Sequence, residues 1–403
     1  MTVLEGASII GTSAFDPVAR VDPHPKLKAL REECPVFRDE GVKTWLLTRY
    51  DDVRQTVNDR SLWRHNRLAE EGALARMGAR DEALDGPTSI LHLDEPDHSR
   101  VRLPLAKAFY ARITAMKPQI EAIIDRVIEA APASGRFDLM HDVAIPIPIL
   151  VIARILGVDE HRIEEFRAWS EAAILGLNPV RTPEETARLE WGSAELHAYF
   201  TALMAARRTA PKDDLISDMV GLQGAGAPLS DEEVRINLSA LLIGGNLTTT
   251  DLIGNGVWLL LRHPDQLAAF KADPGLAAAA VEEILRYESP VGVTGRVISD
   301  ERQVGGCPMH PHHSVMTSLH AANRDPAVFE DPDRFDITRK HAPHVAFGGG
   351  SHICIGAPLA RIEAKQALTR IFQRWPDLRL ADREVTWRAL PFFRGIEALN
   401  VEA

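Results

Sequence analysis

The sequence predicts a mainly α-helical protein with a small β region, on the basis of three observations. Long runs with the helical period recur, with proline and glycine between them, at residues 117–131, 184–208 and 265–288. Strand patterns are short. They are confined to residues 42–50 and to residues 296–320, where alternation surrounds a Gly-Gly turn typical of a hairpin. No internal repeat or low-complexity tract interrupts this pattern.

Composition and charge limit the possible functions. The 403-residue chain is 45% hydrophobic, which is enough for a sizeable core, and nothing in it looks like a linker. One large domain therefore fits the length as well as two. A net charge of −11 argues against nucleic acid or an anionic membrane surface as the main partner.

Neither the N-terminal residues nor the longest apolar run, residues 143–153, has the pattern of a signal peptide or a membrane anchor. That run is too short to cross a bilayer and contains two prolines. The three cysteines, Cys34, Cys307 and Cys354, lie far apart and indicate no disulfide framework. We therefore expect a soluble cytoplasmic protein with no membrane partner.

The longest predicted helix begins after Ser230, a plausible N-cap, and ends at residues 262–264. About 32 residues would span ~48 Å, enough to cross a domain. Its middle contains Gly244 and Gly245, followed by threonines of middling helix propensity. The Thr248 hydroxyl can bond the Gly244 carbonyl. Two interpretations stay open: a packing contact that needs small residues, or a groove where a ligand lies against the backbone.

The segment FGGGSHICIG, residues 347–356, surrounds one cysteine with glycines. An isolated cysteine is usually a small buried hydrophobe, but these glycines allow a flat partner to approach and amide N–H groups to point at the sulfur. A helix starting near Pro358 would favour the thiolate. The segment therefore predicts a metal-ligand loop. No second ligand stands at zinc-finger spacing, whereas haem iron accepts a single axial thiolate.

This segment resembles the haem-binding loop of the cytochrome P450 monooxygenases. The family's pattern F-x-x-G-x-x-x-C-x-G is met by Phe347, Gly350, Cys354 and Gly356. Further motifs follow in the family's order, and the resemblance extends from about residue 40 to the end of the chain. It implies the P450 fold, a triangular prism of helices enclosing haem b, as one domain over residues 1–403.

The resemblance also implies roles for the further motifs. EILR matches the family's E-x-x-R, and Glu283, Arg286 and Arg334 would form its structural ion-pair triad. HSRVR matches a helical H-x-x-x-R motif that borders the haem. Cys354 would be the axial ligand, with Phe347 packed beside the thiolate to keep it dry. The other residues expected to hold the haem or its propionates are His98, Arg102, Arg296, His352, Gly350, Gly356 and Gly245.

The implied activity is the activation of dioxygen, and here the sequence departs from the family's pattern. Members commonly carry an acidic residue immediately before the threonine that corresponds to Thr248, but this chain has Leu247. Thr248 would hydrogen-bond the dioxygen. Protons would come through water or from Asp251, one turn further along. Asp251 is otherwise a solvent-linked or capping carboxylate.

Electrons must come from a separate protein, because the chain contains no flavin or iron–sulfur motif. An acidic ferredoxin is expected to dock on the cysteine side, where residues 338–344, Arg361 and Lys365 are basic. Within that segment Arg339 and Lys340 supply the charge.

The resemblance implies a mostly apolar pocket for a small hydrophobic or aromatic substrate. Arg394 or Arg80 could meet a substrate carboxylate. Two other functions stay open: a peroxide-driven peroxygenase, and a non-catalytic haem protein that binds a ligand. The residues expected to line the pocket are Leu242, Gly245, Thr249, Val291, Val293, Thr294 and Phe392.

Overall fold

The computed structural model describes residues 8–81, 88–340 and 343–403, and α-helices dominate these ranges. The helices are α1 (Pro17–Val21), α2 (His24–Glu33), α3 (Tyr50–Asn58), α4 (Gly72–Asp81), α5 (Asp97–Ala115), α6 (Lys117–Ala130), α7 (Pro146–Leu156), α8 (Ile163–Ala173), α9 (Pro183–Thr209), α10 (Leu215–Gly224), α11 (Asp231–Arg262), α12 (Pro264–Ala272), α13 (Ala277–Tyr287), α14 (Leu319–Ala322) and α15 (Ala357–Arg374). The mainly helical prediction is confirmed.

The strands are short and form small sheets. They are β1 (Val36–Asp39), β2 (Thr44–Leu47), β3 (Arg136–Asp138), β4 (Val293–Val297), β5 (Arg302–Val304), β6 (Cys307–Met309), β7 (Ser314–Ser318), β8 (Arg379–Leu380), β9 (Thr386–Trp387), β10 (Ile396–Ala398) and β11 (Asn400–Glu402). Four of them pair in the order β1-β2-β7-β4, with β2 parallel to β7 and the other pairs antiparallel. A second sheet has the order β3-β11-β8, and β5–β6 and β9–β10 are separate antiparallel pairs.

Both strand predictions are confirmed in outline. The early strand is β2, which ends at Leu47 because α3 begins at Tyr50. The predicted hairpin is β5–β6, in which Val304 pairs with Cys307. The turn between them needs glycine, since Gly305 and Gly306 have φ of 55° and 83°.

Helix α11 has the predicted ends. The Ser230 side chain accepts from the backbone N–H of Glu233, and the Glu233 carboxylate accepts from the N–H of Ser230, which completes a capping box. The helix crosses the main hydrophobic core and contacts α7 on one side and α15 on the other. Close approach to α13 and α15 needs Gly256, where a Cβ would lie 3.0 Å from Ile284 and 3.2 Å from Leu368.

The predicted helix over residues 265–288 is divided. Helix α12 ends at Ala272 and α13 begins at Ala277, with a 3₁₀ turn at Pro274–Leu276 between them. Pro274 has no backbone N–H to continue the hydrogen-bond ladder, so the helical period persists in the sequence while the helix itself is interrupted. Across the three described ranges, no helix is both long and apolar enough to cross a membrane.

Candidate active site

The loop before α15 holds Cys354, and its glycines act in two ways. Gly348 and Gly350 have φ of 70° and 63°, which favours glycine. A Cβ at Gly350 would lie 2.8 Å from the Val57 carbonyl oxygen, and one at Gly349 would lie 2.8 Å from the Val57 side chain. These two glycines therefore allow the loop to pack on the end of α3. The sequence predicts that the glycines of this loop clear space for a flat partner. Of Gly348, Gly349 and Gly350, Gly348 is the one with open space around it, because a Cβ there would meet no atom within 4 Å.

The Cys354 sulfur lies at the N-terminus of α15, as the sequence predicted. Although part of the residue is exposed, the sulfur has enough protein around it that burial raises its thiol pKa. Hydrogen bonds from the backbone N–H groups of Gly356 and Ala357, and the charges of Arg102 and Arg361, act in the opposite direction. The protein thus presents two amide donors and two cations to a thiolate.

Phe347 is half-buried beside this loop and packs against the main core. The guanidinium of Arg361 lies over its ring, 4.6 Å from the ring centre. Arg361 also donates to both oxygens of Glu282, at 2.6 and 2.9 Å. Its charge is therefore compensated on the protein, which weakens the expectation that Arg361 serves a docking partner.

Four predicted residues form a cationic cluster beside the loop. The rings of His98 and His352 lie 4.0 Å apart. Neither nitrogen of buried His98 makes a hydrogen bond, although Nδ1 lies 3.6 Å from a carboxylate oxygen of Glu95. Arg102, one turn along α5, donates to the Ile353 carbonyl. Arg296 is 2% exposed and donates to the carbonyls of Gly295 and Val57, at 2.9 and 2.8 Å.

Sequence reasoning missed a fifth member of this cluster, Arg64. Its guanidinium donates to Thr294 Oγ1 at 2.8 Å and to the Gly295 carbonyl at 2.7 Å. Burial lowers the pKa of Arg64 to about 10. Burial, followed by the charge of Arg64, lowers the pKa of Arg296 to about 9. Arg64 belongs to no motif, and only the folded chain brings it here from the segment after α3.

This cluster fits an anionic group. The buried guanidinium of Arg296, the half-buried one of Arg64 and two imidazoles converge. Burial followed by the charges of Arg64, His98, Arg296 and Arg102 lowers the pKa of His352 to about 2. Buried like charges and unpaired imidazole nitrogens are costly unless an anion compensates them. Carboxylate groups held between Cys354 and this cluster would supply that compensation, as the propionates of a haem do.

The middle of α11 has the threonine geometry that the sequence predicts. Thr248 Oγ1 donates to the Gly244 carbonyl at 2.7 Å, as predicted. A Cβ at Gly244 would meet no atom within 4 Å, so this turn presents an open face beside Thr248. Gly245 faces the other way, because a Cβ there would lie 3.2 Å from Ile152 of α7. Gly245 therefore allows α11 to pack against α7. It was expected to contact the cofactor and line the substrate pocket, and its position does not support either role.

Comparison with known proteins adds an independent finding. A family model described as Cytochrome P450 matches residues 275–379. The chain is 40% identical over 402 residues to Cytochrome P450 107B1 of Saccharopolyspora erythraea, an alignment that covers 96% of each chain. The chain belongs to the cytochrome P450 family.

Other P450 proteins share nearly the whole chain. Vitamin D(3) 25-hydroxylase of Pseudonocardia autotrophica is 38% identical over 391 residues, covering 94% of this chain and 93% of that protein. The crystal structure of a myxobacterial cytochrome P450, CYP267B1, in complex with myristic acid has a TM-score of 0.88 and 36% identity, covering 96% and 98% of the two chains. The predicted fold is confirmed. The chain is accordingly an oxidoreductase of the monooxygenase type, and its cofactor is haem with the Cys354 thiolate as axial ligand.

The ion-pair triad of this P450 differs from the predicted one in its third member. Arg286 donates to both oxygens of Glu283, each at 2.7 Å, with both side chains buried. The third partner is Arg339, whose Nε lies 3.2 Å from Glu283. The prediction that Arg334 is the third member was wrong. Its side chain is 64% exposed, and within the described residues it forms an ion pair with Asp336, at 3.8 Å.

The segment that contains these arginines explains the error. Arg286 and Arg339 both donate to the backbone carbonyl of Arg334, so the Arg334 backbone joins the network while its side chain points outward. Sequence spacing alone does not show whether Arg334 or Arg339 is the partner of Glu283. Arg339 was instead expected to bind a redox partner, and its pairing with Glu283 removes it from that role.

Several pocket predictions also need correction. Leu242 is fully buried in the main core, whereas its neighbour Ile243 is partly buried and packs with Leu247 against a smaller apolar cluster. The Thr294 hydroxyl accepts a hydrogen bond from Arg64, so Thr294 lies beside the cationic cluster and not in the substrate pocket. Phe392, with φ of 67°, packs against the cluster around β2 and β4 and also lines a cavity together with Phe393, which packs beside Leu247. For Leu242 the expected face was wrong by one residue, because Ile243 is the one that packs with Leu247.

The remaining pocket predictions concern Val291 and Val293 near the sheets and Thr249 on α11. Val291 forms an isolated bridge with Phe393, and Val293 lines a cavity together with Phe393. Thr249 is 4% exposed on α11. Arg394 is buried and bound to Glu288 at 2.9 Å and to two carbonyls of α1, so it is not free to meet a substrate carboxylate. The side chain of Arg80 lies outside the described residues.

Asp251 is a buried carboxylate inside α11 and does not cap the helix. It is fully buried, and its Oδ1 lies 3.0 Å from Nη2 of Arg388. Burial raises the pKa of Asp251 to about 6, and Arg388 opposes this shift. A fully buried acid three residues after Thr248 is therefore within one helical turn of the threonine.

Proposed function

We propose that this P450 is a cytoplasmic monooxygenase that inserts one oxygen atom from O2 into a hydrophobic or aromatic small molecule, with electrons from a separate ferredoxin. The observation that supports this most strongly is an apolar surface immediately beside Thr248. It combines residues from the 3₁₀ turn after α8 (Ile174–Leu177), from α11 and from the turn between β9 and β10. Its members are Ile174, Leu175, Ile243, Leu247, Leu390 and Phe393.

The cofactor supplies dioxygen activation when it is bound, and the residues of this chain define its setting. Arg64, Arg296, Arg102, His98 and His352 would bind the propionates. The amide donors of Gly356 and Ala357 hold the Cys354 thiolate, and Phe347 keeps water from it. Thr248 offers a hydroxyl on the open face of α11. The alternative roles as peroxygenase or ligand carrier would use the same residues.

The apolar surface favours a substrate recognised by burial and by few polar contacts. Leu247 and Ile243 are one turn apart on α11, so both point at the same substrate face. The relative named for vitamin D(3) and the structure solved with myristic acid both concern large hydrophobic molecules, which supports this substrate class for the present chain. Terpenoid, fatty acid, aromatic acid and polyketide remain the candidates to test.

The electron donor would dock where Cys354 is nearest the surface. The exposed hydrophobic residues there are Leu103 and Tyr110 on α5 and Ile353 beside the thiolate, with Leu103 68% exposed. Lys107 lies on the same face of α5, since residues three, four and seven apart share a face, and Lys365 is exposed on α15. An apolar centre with lysines at its rim fits a small acidic ferredoxin better than the paired Arg339 and Arg361 do.

The visible spectrum of the ferric protein tests the apolar surface as a substrate site. It is recorded with terpenes, fatty acids, aromatic acids and macrolides in turn. One class should produce a low-spin to high-spin shift. That compound should then give an oxygenated product with ferredoxin, ferredoxin reductase and NAD(P)H. Product with peroxide but not with the reductase system would instead establish a peroxygenase, and no turnover under either condition would overturn the enzymatic function.

The docking surface is tested with Leu103→Glu. An acidic side chain at its centre should slow ferredoxin-dependent reduction by about tenfold, because it repels an acidic partner and interrupts the apolar contact. Reduction by dithionite should stay unchanged. Val18→Glu is the matched control, because Val18 is also 68% exposed but lies on α1. Equal reduction rates for the two variants would remove α5 from the docking surface.

A further inference from the structure

The middle of α11 contains a single ionisable group able to move a proton. After the acidic first turn that ends at Glu233, Asp251 is the only aspartate or glutamate in the helix. Thr248 and Asp251, three residues apart, lie on neighbouring positions of one helix face. Oxygen insertion consumes protons as well as electrons, so the path by which a proton reaches Thr248 is part of the reaction.

The β9–β10 hairpin is shaped around the Asp251 carboxylate. Arg388 follows β9 and Gly395 precedes β10, and the Arg388 N–H donates to the Gly395 carbonyl at 2.9 Å. Arg388 Nη1 donates to Asp251 Oδ2 at 3.3 Å, and Nη2 lies 3.0 Å from Oδ1. A Cβ at residue 395 would lie 2.1 Å from Oδ1, so only glycine leaves room for the carboxylate.

A cavity reaches the Arg388 side of this pair. A cavity of about 40 Å³ is lined by Arg388, Gly395 and Phe393 on one side and by Ser13 and Arg20 of the N-terminal segment on the other. This volume accommodates about two or three water molecules, and the guanidinium and hydroxyl groups give them polar partners. Since the Arg388 side chain is 25% exposed while Asp251 is fully buried, Arg388 stands between solvent and the acid.

We propose that Asp251 is the proton donor to Thr248 in this P450, and that water in the cavity beside Arg388 supplies the proton from solvent. The carboxyl O–H of Asp251 gives its proton through water to Thr248 Oγ1, and Thr248 releases its own hydroxyl proton to the reaction on the open face of α11. The Asp251 carboxylate then takes another proton from water that enters by the cavity. The ion pair with Arg388 holds the carboxylate in place between these events. The role rests on the proposed monooxygenase function, and Leu247 cannot perform it.

Electrostatics agree with this assignment. Burial raises the pKa of Asp251 to about 6, so both protonation states are populated near neutral pH. Arg388 is the charged group that acts on this carboxylate, and it lowers the pKa. Removing that charge should therefore raise the pKa of Asp251 further.

The principal test is Asp251→Asn in the haem-loaded protein, with the fraction of NAD(P)H electrons recovered in product as the readout. That fraction should fall at least about tenfold, with the balance released as peroxide. Asp214→Asn is the matched control, because Asp214 is also buried and paired with an arginine, Arg207, at 2.6 Å. An electron fraction unchanged in Asp251→Asn, or lowered equally in Asp214→Asn, would overturn the proposal.

Two further variants distinguish a proton donor from a structural residue. Leu247→Glu in the Asp251→Asn protein places an acid next to Thr248 and should restore part of the lost coupling. Arg388→Gln keeps the acid but should shift the alkaline limb of the coupling–pH profile to higher pH. A profile unmoved in Arg388→Gln would contradict the role of Arg388.

A readout independent of turnover is infrared titration of the carboxylic acid stretch in the ferric protein. A band that titrates near pH 6, exchanges rapidly in D2O and disappears in Asp251→Asn is expected. A carboxyl group that titrates below pH 5, or that does not exchange, would overturn the proposal. If the wild-type protein forms no product with any donor, the proposed function fails, and this titration still decides whether Asp251 is a water-connected acid.

Discussion

Glu283→Gln should lower the free energy of unfolding by about 3–5 kcal/mol. The substitution removes the negative charge that compensates Arg286 and Arg339, and Arg286 is only 2% exposed. Breaking a buried ion pair from one side costs this much because the remaining charge stays buried without compensation. For a chain of this length the loss corresponds to a melting temperature about 5 °C lower. Calorimetry of the haem-loaded protein measures it.

Arg334→Gln is the matched control for this prediction. Arg334 is the partner that the sequence pattern suggested, but its side chain is exposed and 3.8 Å from Asp336. Its substitution should change the free energy of unfolding by no more than about 0.5 kcal/mol. Equal losses in both variants would mean that Arg334 joins the triad after all.

Cys354→Ser should abolish oxygenation while leaving the fold largely intact. A serine hydroxyl remains neutral where the thiolate would donate electron density, although Gly356 and Ala357 still offer their N–H groups. Loss of an outer partner of a metal ligand costs about 10–100-fold, so loss of the ligand itself should cost at least about a hundredfold in product formation. The measurement compares product formation and circular dichroism of the two proteins. Retained oxygenation would exclude Cys354 as the axial ligand.

Local sequence patterns predicted the parts of the site that one segment builds alone. The loop around Cys354, the capping box of α11 and the hydrogen bond from Thr248 to Gly244 depend on residues close in sequence. Their geometry follows from backbone preferences and short spacings. The resemblance supplied His98, Arg102, Arg296 and His352, which the structure brings into one cluster.

The sequence predictions failed in two situations. In one, neighbouring residues lie on different faces of an element; in the other, a segment distant in sequence contributes a residue to the site. Gly244 and Gly245 are equivalent by composition, but the packing of Ile152 against α11 assigns them opposite faces. Leu242 and Ile243 also differ by one residue, because Leu242 is fully buried in the main core and Ile243 packs with Leu247. Arg64 and Arg388 lie in the site because of tertiary contacts with residues distant in sequence, so no sequence motif predicts them.

The most direct measurement is the absorption spectrum of the dithionite-reduced, haem-loaded protein under carbon monoxide. Ligation by the Cys354 thiolate predicts the long-wavelength Soret band that distinguishes thiolate-bound from histidine-bound haem. The band should be lost in Cys354→Ser. A wild-type Soret band at the position given by histidine ligation, or a long-wavelength band that persists in Cys354→Ser, would contradict the assignment of Cys354 as the ligand.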